Sequence, residues 1–92
     1  MMARTLIISY DLSNPGQNYE LLLKKVKALG AWARLGGSAY LVITNATPVA
    51  VRDDLKAVLD QNDSLFVGVC PPPSAWYGMS EEVGNWIVKF QR

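Results

Sequence analysis

The chain has 92 residues, half of them apolar, with nine basic and eight acidic side chains and a formal net charge of +1. That balance excludes a nucleic-acid binder driven by bulk electrostatics, while leaving room for a local basic patch. There is no histidine, which removes the commonest general base and metal ligand, and the single cysteine, Cys70, excludes an internal disulfide.

The first element is "TLIISY", Thr5–Tyr10, short, β-branched and apolar on both faces, which reads as an interior strand. It ends on Asp11, ahead of the turn chemistry of "SNPG". From Asn18 the spacing changes to 3.6 residues: Tyr19, Leu22, Leu23, Val26 and Leu29 form one stripe, and Gly30 is a natural stop. "AWARL" and "SAYLVIT" flank Gly36-Gly37, a hairpin signal. "TPVAVRDDLKAVLDQ" reads as a second helix, capped by Thr47, with Pro48 in its first position and Val51, Leu55, Val58 and Leu59 on its buried face. "DSLFVGVC" is the last core strand, stopped by Pro71–Pro73. In "SEEVGNWIVKFQ", Ser80 caps a helix, Glu81 and Glu82 suit its first turn, and Val83, Trp86, Ile87 and Phe90 share a face. A terminal strand "NWIVKF" is the alternative.

The order β-α-β-β-α-β predicts one α+β domain over residues 1–92 of the ferredoxin-like kind: a four-stranded antiparallel sheet with two helices on one face, a core over about residues 4–70, and a helical tail over 71–92. A domain this small buries only about two-thirds of its unfolded surface. "AYLVIT" and "LFVGV" are apolar on both faces, although two helices cover only one. The second face is therefore expected to be covered by the tail or by another copy, which predicts a homodimer with the tail as an added contact. The start shows no signal-peptide pattern, and no apolar run approaches the roughly 20 residues of a bilayer span, so a cytoplasmic protein without a membrane partner is expected.

Asp11 has two readings: an acid delivered by a strand to the rim of a sheet, where catalysis and metal binding often sit, or an Asx turn onto the following backbone. Ser9 shares its face of the strand, and Ser38 opens the strand expected beside it, so both hydroxyls can either position a phosphate or water, or satisfy local backbone groups. Tyr10 faces the other way, toward core or interface. Asp53, Asp54, Asp60 and Asp63 are assigned no metal; Asp63 can cap the turn into the last strand. Lys24, Lys25 and Lys27 form a solvated face. Arg34, close to the paired glycines, and Arg4, at the edge, are the candidate phosphate-backbone contacts. Trp76 and Tyr77 beside the prolines, and Trp86 on the helical stripe, are assigned to tail or dimer packing, with base stacking as the functional alternative. Cys70 reads as a small core residue.

Several stretches together carry a resemblance: "LIISYDL", "NPGQNY", "LGAW", "GSAYLVIT", "VRDDLK", "QNDSLFVGV" and "SAWYGMSEEVGNWI". In order and spacing, over nearly the whole chain, they resemble the SinR-like branch of the small CRISPR-associated adaptor nucleases (Cas2-like), a superfamily that includes the virulence-associated protein D ribonucleases. The resemblance implies a ferredoxin-like homodimer in which Asp11 of each subunit holds a divalent metal for phosphodiester cleavage; on that reading the metal is Mg²⁺ or Mn²⁺, the substrate RNA or DNA, and Ser9 or Ser38, by their place on the strands, orients the phosphate. It equally implies a second function, a non-catalytic dimeric scaffold that binds nucleic acid or another protein. A small-ligand regulatory domain is the third, since ferredoxin-like folds host those too.

Overall fold

The computed structural model of the chain describes residues 3–13 and 19–92. Its elements are β1 (Arg4–Asp11), α1 (Tyr19–Lys27), β2 (Trp32–Gly36), β3 (Ala39–Thr44), α2 (Pro48–Lys56), β4 (Ser64–Val69) and α3 (Glu81–Phe90). The four strands form one sheet in the order β2-β3-β1-β4, and every neighbouring pair is antiparallel. The expected turn at Asn14, Pro15 and Gly16 and the helix start at Asn18 lie outside the described residues.

Alternation along the strands sorts the side chains into two faces. Leu6, Ile8 and Tyr10 of β1 join Tyr40 and Val42 of β3 in one buried cluster with Leu22 and Val26 of α1 and Val51 and Leu55 of α2. Tyr19, Leu23 and Leu29 of the first helical stripe and Val58 and Leu59 of the second pack around its margin. One exposed ion pair links the two helices, Lys25 Nζ to Asp54 Oδ1 at 2.9 Å. Exposed pairs of this kind contribute about 0–1 kcal/mol, so apolar burial holds the layer together.

α2 begins as its sequence dictates. The Thr47 hydroxyl accepts from the Ala50 N–H at 3.1 Å, and Pro48 occupies the first turn, where a missing N–H costs nothing. It ends at Lys56, before the expected Gln61. The Val58 and Leu59 N–H groups bond three residues back, to Leu55 and Lys56, and this tightening ends the α-helix. The Asp63 carboxylate then closes the turn by accepting from the Asp60 N–H at 2.8 Å.

The segment "NWIVKF" is helical, within α3, and the alternative strand does not form. Ser80 caps α3 by accepting from the Val83 N–H at 3.2 Å. α3 packs against β2 on the face opposite α1 and α2. There Ala33 and Leu41 are buried outside the main cluster, and Ile87 is the buried residue of α3. Thr5 also points away from the main cluster yet has no exposed surface, and its hydroxyl accepts from the Arg92 N–H at 2.7 Å. Gln91 Nε2 donates to the Cys70 carbonyl at 3.1 Å and to Ser74 Oγ at 2.6 Å, which anchors the end of the tail beside β4. The tail therefore covers the β2–β3 half of the second face. Along β1 and β4 the tail leaves open a strip on which Asp11, Ser64 and Phe66 are exposed and Ile7, Ser9 and Gly68 half-buried, with Phe66 62% exposed and its ring over Gly68.

Candidate functional site

Asp11 is the last residue of β1, exposed, and paired across the sheet with Ser64. Ser9 lies two residues back on the same face, between Ala39 and Phe66 of the neighbouring strands. Ser38 precedes β3 and is held beside the end of β1, because its carbonyl accepts from the Tyr10 N–H at 3.0 Å. Tyr10, Asp11, Leu12, Tyr19, Gly37 and Ser38 together line a cavity of about 270 Å³ at this rim. The structure thus brings Asp11 and Ser38 to one opening, whereas Ser9 faces the open strip and does not line the cavity.

Tyr10 forms the cavity's inner wall and is 4% exposed. Its hydroxyl reaches no hydrogen-bond partner of acceptable geometry among the described residues. Burial first, and then the nearby Tyr19 and Tyr40 side chains, push its phenol well above the usual range, while Arg34 opposes the shift. The Tyr40 phenol is raised by burial and by Tyr19, again against Arg34. Rings Tyr10 and Tyr19 stand 6.2 Å apart, and Trp32 and Tyr40 5.9 Å, so a band of aromatic side chains backs this end of the sheet.

Arg34 is exposed and donates to the Gly37 carbonyl at 3.3 Å across the hairpin turn, near enough to Tyr10 and Tyr40 to act on both phenols. Arg4 stands at the opposite end of β1, seven residues from Asp11, or about 23 Å along a strand. Arg34 lies level with Ile8, four residues along from Arg4 and two strands away, so the two arginines sit at different places on the sheet. Trp76 lays its indole beside Gly84 of α3, where an added Cβ would meet Nε1 at 3.1 Å. Trp86 packs on Phe90 with ring centroids 5.3 Å apart, and Tyr77 is fully exposed.

Sequence reasoning missed Tyr19 as a wall of the cavity and Ser13 as a support for it. Both the Ser13 N–H, at 2.8 Å, and the Ser13 hydroxyl, at 3.1 Å, donate to Asp63 Oδ1. The Asp60 N–H and the Ser13 groups together hold the Asp63 carboxyl below its usual range. This tether fixes the chain two residues beyond Asp11. No local signal predicts it, because its ends are 50 residues apart.

Among the described residues no group of three or more histidine, cysteine, aspartate or glutamate side chains converges. Asp11 is the one carboxylate among the described residues lining the cavity, with the Ser38 hydroxyl beside it. Mg²⁺ takes oxygen ligands, commonly one or two carboxylates, and keeps several waters, so the exposed Asp11 at an open rim is a donor of the right kind. Among the described residues no helix is long and apolar enough to cross a membrane.

No protein-family model matches the chain, and no curated protein matches its sequence. Among solved structures, the chain is similar to a hypothetical protein, TT1823, from Thermus thermophilus. The two are 18% identical with a TM-score of 0.68, over 84% of this chain and 93% of the other. At that identity the likeness shows a shared fold: an antiparallel four-stranded sheet carrying helices.

Proposed function

We propose that the chain is a ferredoxin-like, Cas2-like homodimer of the SinR-like branch, acting in the cytoplasm as a divalent-metal-dependent endonuclease on RNA or DNA. The strand order β2-β3-β1-β4 with α1 and α2 on a common core supports the fold. The observation that carries the chemistry is the exposed Asp11 at the end of the central strand, sharing a cavity with Ser38 and lying on the uncovered strip.

A second copy laid over the strip would bring its own Asp11 opposite the first, supplying the carboxylate that one chain lacks. Asp11 from each subunit would hold Mg²⁺ or Mn²⁺. When bound, the cation supplies Lewis acidity toward a phosphate oxygen and acidifies water, chemistry that needs no histidine. The Ser38 hydroxyl can donate to a phosphate oxygen, and Arg34 at the hairpin can neutralise a neighbouring phosphate. Ser9, on the strip beside Asp11, can orient the substrate or the second subunit.

A dimeric scaffold without turnover is the second reading, and the apolar exposure of Phe66 on the same strip favours it. The test is cleavage of single- and double-stranded RNA and DNA with Mg²⁺, Mn²⁺ or a chelator, for wild type and Asp11→Ala, alongside sedimentation of both. The expected result is metal-dependent cleavage that falls on the order of 100-fold in Asp11→Ala while the dimer persists. Equal cleavage by the variant would remove the site, and binding without cleavage by either protein would leave the scaffold.

A further inference from the structure

The outer edge of β2 carries a second cavity, away from the Asp11 rim. The Ile43 N–H donates to the Ala31 carbonyl at 2.8 Å, so Ala33–Leu41 is the next hydrogen-bonded pair in the register. The backbone N–H and C=O of Trp32, between those pairs, therefore turn outward, and no strand among the described residues pairs with that side of β2. Alternation sends the side chains of Trp32 and Arg34 to the face of α1 and α2, and that of Ala33 to the face of α3. Over the edge between them lies a cavity of about 320 Å³, lined by Trp32, Ala33, Arg34, Glu82, Val83 and Trp86. That volume is at the lower end of the roughly 300–1,000 Å³ of small-molecule sites.

Two indoles give the cavity apolar walls: Trp32 is 39% exposed and Trp86 half-buried. Phe90, one turn beyond Trp86, packs on that indole, and Glu82 lies one turn before it. The Glu82 carboxylate is exposed and has no hydrogen-bond or ion-pair partner among the described residues. On the β2 side the charge is positive. Lys27 Nζ stands 4.6 Å from the Trp32 ring centroid, and Arg34 spends one N–H on the Gly37 carbonyl, keeping its other donors for a ligand.

We propose that this cavity binds a guanine nucleotide. The base stacks on Trp86, on the side that Phe90 leaves open, with Trp32 as the second wall. Glu82 reads the base. Guanine alone among the common bases presents two adjacent N–H donors, the ring N1–H and the 2-amino group, to one carboxylate. Adenine and cytosine set a ring acceptor beside their amino group, and that acceptor repels a carboxylate. The outward N–H and C=O of Trp32 supply further partners at the same edge. The phosphate lies at the mouth toward Lys27 and Arg34, away from Glu81 and Glu82. An apolar segment in the same place would leave Glu82 and Arg34 unmatched, so charge complementarity favours the nucleotide.

The site rests on none of the nuclease reading; it shares Arg34 with it, and the test variants leave Arg34 in place. The experiment is titration calorimetry of the full chain, without divalent metal, against the four ribonucleoside 5′-monophosphates and a single-stranded oligouridylate carrying one guanine. The guanine monophosphate is expected to bind at least about tenfold more tightly than the other three. Glu82→Gln is expected to reverse the preference toward adenine, because an amide sets one acceptor beside one donor and so matches adenine's amino group and ring nitrogen. A merely structural Glu82 would give no such reversal. Trp86→Leu weakens every nucleotide at least about tenfold; should it unfold, Glu82→Gln, at an exposed position, decides. An oligomer that binds more tightly than the monophosphate identifies the ligand as a nucleotide within a single strand, and one that binds no more tightly identifies it as the free nucleotide. No saturable binding of the guanine monophosphate, equal affinity for all four, or an unchanged preference in Glu82→Gln would each overturn the site. Loss or retention of cleavage in Asp11→Ala moves none of these affinities.

Discussion

At Gly30 the chain leaves α1 and passes so close to β3 that an added Cβ would run into the Ile43 carbonyl oxygen, with the backbone at φ +156°. The approach is fixed by the next residue, whose carbonyl accepts from the Ile43 N–H at 2.8 Å. A glycine is therefore required here by a neighbouring strand as well as by the helix end it follows. Gly30→Ala is expected to cost at least about 1–3 kcal/mol in urea unfolding. Gly37, with open space around its α-carbon, is the matched control and should tolerate alanine with little loss. Asp63 is another residue whose role is set from afar: a turn-forming carboxylate by composition, it also ties down Ser13 beyond Asp11.

Among the elements, α3 has the most to explain. It is the most amphipathic of the three helices by pattern, yet it packs outside the main cluster and covers Ala33 and Leu41 on the opposite face. Ile87→Ala is expected to destabilise the protein by about 2–4 kcal/mol and to expose that half of the sheet, measured as a lower urea midpoint and increased binding of an apolar dye. Four strands and two helices were readable from the alternation of β-branched runs with 3.6-residue stripes, and Thr47 and Ser80 marked two helix starts, while "NWIVKF" fitted a strand as well as the helix it forms. The end of α2 was not readable. Val58 and Leu59 continue the apolar spacing, but their N–H groups settle for bonds three residues back once Asp63 folds the chain toward β4. The sequence also showed that the second face needed a cover without showing how it is divided. Thr5, Ala33 and Leu41 go under the tail, whereas Ile7, Ser9 and Phe66 do not, and only the folded path of residues 71–92 decides this. Asp11 was legible as a strand-end acid. Ser38 beside it was legible too, from the strand it opens, but Tyr19 as a wall of the cavity was not, because it reaches the rim from the far side of the turn.

For the molecule as a whole, the buried phenols set a limit at high pH. Tyr10 and Tyr40 are both raised above 10.0 by burial. In the unfolded chain they ionise near 10, so the unfolded state loses protons first and gains stability as pH rises. Folding free energy should hold steady through neutral pH and fall above about pH 10, followed by urea titration with phenolate absorbance. Tyr10→Phe, which removes a hydroxyl without a partner among the described residues, should flatten that fall with little effect at pH 7. The same central strand has a further consequence. β1 precedes in synthesis every strand that will flank it: β3 arrives some thirty residues later, β4 later still, and Thr5 receives its last hydrogen bond from residue 92. The central strand must therefore wait, unpaired and water-exposed, through the translation of the segments that will flank it. Nascent copies are then most vulnerable to sticking together before release, when a chaperone that shields Leu6 to Tyr10 would help most.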